Sequence, residues 1–154
     1  SLKNYLWVFF LSMVPVLELR AAIPIGATLG LEWVANYLIC VIGNMIPVPI
    51  ILLFVRHVLE WMKKIPRLDK IALWVENKAQ KNTPKVQKYA SLGLLIFVAL
   101  PLPGTGAWTG ALVAAMLDMR MKYVIPSIFC GVLIAGLIMS LASYGLVSFL
   151  TFLA

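Results

Sequence analysis

Glu18 and Arg20 are the residues of this chain best placed to do chemistry. They stand in an otherwise apolar stretch, Pro15-Val-Leu-Glu18-Leu-Arg20-Ala-Ala-Ile-Pro24-Ile-Gly26. An ionisable group inside a membrane-buried run is costly and points to function. Side chains two apart diverge on a regular helix, but a proline break lets them meet. Desolvation favours the neutral acid and a neighbouring guanidinium favours the anion, so Glu18 is the expected proton acceptor. Arg20 carries a planar fork of donors suited to a carboxylate or phosphate. The competing expectation is a structural ion pair that closes the break.

A second stretch, Ala99-Leu-Pro101-Leu-Pro103-Gly104-Thr105-Gly106-Ala-Trp108-Thr109-Gly110, interrupts a long apolar run. Pro101 and Pro103 lack a backbone donor and push the preceding residue towards extended geometry. Residues 89–117 are therefore expected to form two half-helices meeting at a break near mid-membrane. Unpaired backbone groups are tolerated there only against protein or a water-filled cavity. The returning half-helix offers free N–H groups as an anion site, with Thr105 or Thr109 adding a hydroxyl. Alternatively, Gly104 and Gly106 let two hairpin tips pack closely. Trp108 is placed against the site, with packing its competing role. Asn44 is expected to satisfy an open carbonyl in a kinked neighbour.

These residues need a membrane scaffold. Of 154 residues, 62% are hydrophobic and 12% charged, about half the charge of a soluble domain. The net charge of +7 gathers at Lys63, Lys64, Arg67, Lys70, Lys78, Lys81, Lys85 and Lys88. Such a cluster sets orientation and meets anionic headgroups; nucleic acid is not an expected partner. Residues 2–14 are too short to span, 33–60 and 123–154 are long enough, and Pro47 and Pro49 predict a kink or local unwinding. Leu68, Ile71 and Val75 mark an amphipathic surface helix over Arg67–Lys81, and Thr83-Pro84 is a helix start. Glu32 and Asp118 are expected caps of the spans that follow them, and Cys40 and Cys130 packing residues.

Sliding the chain on itself by about 86 residues aligns Pro15 with Pro101, Glu32 with Asp118 and Tyr37 with Tyr123. The expected fold is thus all-α, one membrane domain of two inverted repeats, 1–60 and 84–154, joined by a basic connector, 61–83. Each repeat is a re-entrant helical hairpin plus a transmembrane helix, with the site at the repeat interface. Hairpins put segment 61–88 and Arg120/Lys122 together on the cytoplasmic side and both termini outside. So little interior implies a homodimer, with small residues such as Gly131, Gly136, Ser140, Ser143 and Gly145 at helix contacts.

The motif around Glu18 and Arg20, followed by Gly43-Asn44 and by Pro101 to Gly110, resembles the small multidrug export family of prokaryotic integral membrane proteins over nearly the whole chain. That family is distantly similar to DedA-type proteins. The resemblance implies paired re-entrant hairpins, proton-dependent transport and handling of polyprenyl-phosphate lipid carriers. Glu18 matches the acidic residue of the first DedA-type hairpin; Arg120, in the turn after the second, is a looser counterpart of their arginines.

No metal-ligand cluster, nucleophile–base pair, P-loop or dinucleotide fingerprint is present in the sequence, so neither a cofactor nor an enzyme is expected. The leading expectation is proton-coupled movement of an anionic amphiphile or lipid phosphate through Glu18, Arg20, Pro24, Asn44 and the second break. Export of cationic lipophilic drugs is the alternative and requires Glu18 free of Arg20. A non-transporting scaffold is the third, and it predicts a dry, fully paired centre.

Overall fold

Proline and glycine punctuation cuts the apolar chain into helices of unequal length. The computed structural model describes residues 2–67, 69–71, 73–74, 84–102, 104–117 and 119–154, with backbone alone for 84–87. Among these there are seven α-helices and no strand: α1 Leu2–Met13, α2 Glu18–Thr28, α3 Trp33–Met45, α4 Pro47–Lys63, α5 Pro84–Ala99, α6 Ala107–Met116 and α7 Met121–Leu153. Pro103, Asp118, Thr83 and most of the amphipathic stretch Arg67–Lys81 lie outside the described residues.

Two stretches, Trp33–Lys63 and Met121–Leu153, are long and apolar enough to cross a membrane. The unwinding expected at Pro47 and Pro49 is confined to Ile46. That residue keeps helical angles (φ −58°, ψ −44°) and bonds its N–H to Ile42 O. Pro47 opens α4, and a missing N–H costs least at a first helical position. By contrast α1, α2 and α6, of 12, 11 and 10 residues, rise only about 15–18 Å at 1.5 Å per residue.

The breaks between short helices are tight. In the first, Glu18 N–H returns to Val14 O at 2.9 Å, which forces Val16 to φ +70° and Glu18 to φ +47°. A β-branched residue in the left-handed region is strained, and such strain gathers at functional sites. In the second, Gly104 takes φ +83°.

Helix α1 packs on α2 and α3, α5 on α7, α2 on α3 and α7, and α6 on α4. Helix α6 can lie close because Ala107, Ala111, Ala114 and Ala115 form a fully buried stripe of small side chains. Gly131 has the same role on α7: a Cβ there would stand 2.8 Å from the Val98 Cβ on α5. Gly136 similarly receives the ring of Tyr37. These two glycines, expected at a dimer contact, serve packing within the chain. Cys40 is buried as expected, whereas Cys130 is exposed and packs no core. Phe54, Leu141 and Phe152 are 66%, 76% and 85% exposed, an outward face suited to an apolar solvent.

Candidate functional site

The breaks leave four helix ends near the centre: the C-termini of α1 and α5 and the N-termini of α2 and α6. Each end has backbone groups without an intrahelical partner, and residues from other elements meet them.

Glu18 covers the N-terminus of α6. Its Oε2 accepts from the N–H of Ala107 and its Oε1 from that of Trp108, both at 3.0 Å. Gly106, the residue at the N-cap, has no side chain to offer there. A Cβ at Gly106 would overlap the Glu18 carboxylate, so this glycine is required for space. Arg20 covers the C-terminus of α5. Its Nη2 donates to Val98 O and Leu100 O at 2.8 Å, and its Nε to Leu102 O at 3.0 Å. Thr105 turns its hydroxyl inward to Leu100 O at 2.6 Å and its carbonyl to Arg20 at 3.2 Å. Between the two side chains runs an ion pair, Arg20 Nη1 to Glu18 Oε2 at 3.3 Å, with side-chain exposures of 8% and 2%. Cation at a helix C-terminus and anion at a helix N-terminus are the favourable placements for both peptide dipoles.

The other two ends are met reciprocally. Trp108 Nε1 donates to Met13 O, the last carbonyl of α1, at 2.9 Å. Asn44 Oδ1 accepts the N–H of Leu19, near the start of α2, at 2.9 Å. Asn44 thus meets an open N–H where an open carbonyl was expected, and its Nδ2 has no partner although the residue is buried.

The family comparison adds to this geometry. Residues 18–138 match the family described as Putative small multi-drug export protein, and the matched stretch opens on Glu18. The chain belongs to that family. No curated protein and no solved structure matches it. With its two apolar spans, family membership makes this a membrane protein and favours a transporter over an enzyme. Among the described residues no three His, Cys, Asp or Glu side chains converge to hold a metal ion.

Of the residues expected at the site, Glu18, Arg20, Asn44, Thr105, Gly106 and Trp108 meet at the centre. Pro101 and Gly104 shape the second break. Pro24 sits inside α2 and lines a groove with Ala142 and Leu146 of α7. Thr109 lies one turn into α6 and makes no bond to the cluster. Arg120 stands exposed at the N-cap of α7 and is not part of the cluster. The half-helix N–H groups expected to be free are taken by Glu18. The freedom from Arg20 that cationic-drug export requires is absent from this arrangement.

A second polar centre was not foreseen. Fully buried Asn36 donates from Nδ2 to Ile23 O and to Tyr144 Oη, both at 3.1 Å, and Tyr144 donates to Leu31 O at 2.7 Å. It fastens α2 to α3 and α7. Asn36, Cys40 and Asn44 fall at i, i+4 and i+8 of α3, one helical face, so the amide at 44 was a signal for the amide at 36.

Proposed function

We propose that the chain is a proton-coupled transporter of an anionic amphiphile or lipid phosphate, in which the Glu18 carboxylate occupies the seat of the substrate anion. One observation carries this reading: the carboxylate lies on the N–H groups of Ala107 and Trp108 and against Arg20, where a phosphate oxygen would also bind. A buried guanidinium needs an anion beside it. Protonation of Glu18 removes its charge, weakens its bonds to the two N–H groups and leaves the seat and Arg20 to an incoming phosphate. One proton enters for each monoanion seated, and the charge of the centre is the same before and after.

In this reading α1–α2 and α5–α6 are re-entrant hairpins of two inverted repeats. Their short helices support it, as does the exchange of partners. The first arm of each hairpin packs on its own span, and the returning arm packs on the span of the other half. The chain is then a multi-pass protein of the cell membrane, a homodimer, with segment 61–88 cytoplasmic and the termini outside.

The test is uptake of a fluorescent short-chain phosphatidate into liposomes holding the purified protein, measured against pH. Wild type transports with a pH dependence that Glu18→Gln abolishes; transport by Glu18→Gln at the wild-type rate at every pH overturns the proposal. The mutual capping of all four helix ends favours a second reading, a non-transporting membrane scaffold. It expects wild-type and Glu18→Gln liposomes to be equally inert.

A further inference from the structure

Ser140 lies in the middle of α7, is 3% exposed, and its Oγ has no hydrogen-bond partner. A serine within a helix ordinarily returns its hydroxyl to the carbonyl four residues back. Two other hydroxyls of α7 do so, Ser127 to Tyr123 O at 2.7 Å and Thr151 to Val147 O at 2.9 Å. Ser140 instead lines a cavity of about 420 Å³ with Trp33, Leu137, Leu141, Tyr144 and Gly145. No charged residue is in that wall, and a Cβ on Gly145 would meet nothing within 4 Å.

We infer that this cavity is a binding site for a neutral lipophilic molecule with an aromatic body and one hydrogen-bond acceptor, which takes the Ser140 hydroxyl proton. The volume falls within the range of small-molecule pockets, about 300–1,000 Å³, and a mostly apolar wall with few placed polar groups is their usual make-up. The unmet hydroxyl decides between occupants. A saturated lipid chain would leave it unsatisfied, at a cost that a ketone or ester oxygen removes. Trp33 and Tyr144 supply aromatic faces for the body of the ligand. The site does not depend on the proposed transport of anions, since it shares no residue with the Glu18–Arg20 centre. It is joined to that centre's helix all the same, because Tyr144 Oη accepts from Asn36, which also holds Ile23 O of α2.

Benzophenone, a neutral aromatic ketone that inserts into nearby C–H bonds under near-ultraviolet light, is the probe. Purified full-length protein in liposomes is irradiated with increasing probe and the adducts are mapped by mass spectrometry. Saturable labelling within residues 137–148 is expected, with fluorenone competing at about fivefold lower concentration than fluorene, which lacks the carbonyl. Ser140→Ala should bring the two competitors level, and Gly145→Leu, which fills the open space, should abolish the labelling. Labelling spread without saturation over the outer faces of the helices overturns the inference. So does equal competition by fluorene and fluorenone in wild type, which would make the cavity a seat for lipid chains.

Discussion

Arg20 and Trp108 close each other's halves of the molecule. Arg20, from the first break, donates to Val98 O and Leu100 O at the end of α5, and Trp108, just past the second, donates to Met13 O at the end of α1. Helices that stop inside a membrane leave carbonyls with no water to meet them, and here each break supplies the donor the other lacks.

Gly104 and Gly106 should respond differently to substitution. Asparagine tolerates the left-handed region, and Gly104 has open space around it, so Gly104→Asn should cost under about 1 kcal/mol. Gly106→Ala drives a methyl into the Glu18 carboxylate. Removing a buried charge from its partners costs about 3 kcal/mol. Thermal unfolding of both variants in detergent checks this, and equal losses would refute the distinction.

Arg20→Lys keeps the charge and loses the fork. A single ammonium cannot serve Val98 O, Leu100 O and Leu102 O together. The variant should be about 2 kcal/mol less stable, and amide exchange should quicken at residues 98–107. A lysine protein with wild-type exchange there would show that the carbonyl contacts carry little weight.

For Trp108→Phe the ring is kept and the N–H lost, leaving Met13 O unmet. Stability should fall by about 1 kcal/mol, with faster exchange at the C-terminal turn of α1. No change would reduce Trp108 to a packing role.

Single cysteines at Lys3, Glu32, Lys78 and Arg120, on a background without Cys40 and Cys130, test the hairpins. Labelling of 78 and 120 from the cytoplasm and of 3 and 32 from outside is expected. Labelling of 78 and 120 from opposite faces would make the chain a bundle of full spans.

Much of this architecture is legible in the residues, because prolines and glycines act locally: α5 stops within two residues of Pro101, and α6 begins directly after Gly106. The pairing of Glu18 with Arg20 was also within reach, since few charges compete in so apolar a stretch. Their further partners were not. Arg20 binds backbone carbonyls, which every residue carries, so nothing in a side chain marks Val98 or Leu102 as its target. The repeat register shows the same limit. Helices α2 and α6 end alike, with Leu31 N–H to Gly26 O at 3.1 Å and Met119 N–H to Ala114 O at 3.0 Å. Glu32 and Arg120 then take the N-cap positions, two residues beyond the alignment of Glu32 with Asp118. The second break is longer than the first, and a fixed slide of the chain cannot absorb the difference. Glu32 does cap α3 as expected, accepting from Ala35 N–H at 2.8 Å.

The separation in sequence between Glu18 and its partners has a consequence for biosynthesis. Ala107 lies 89 residues downstream, and at about 5–20 residues per second the ribosome reaches it roughly 5–18 s after Glu18 has been made. Throughout that interval the carboxylate, the guanidinium and the open end of α1 have none of their final partners. The first half of the chain must therefore wait at the membrane surface, in the insertion machinery or in another protein's keeping. Its entry into the bilayer centre is timed by the arrival of the second half.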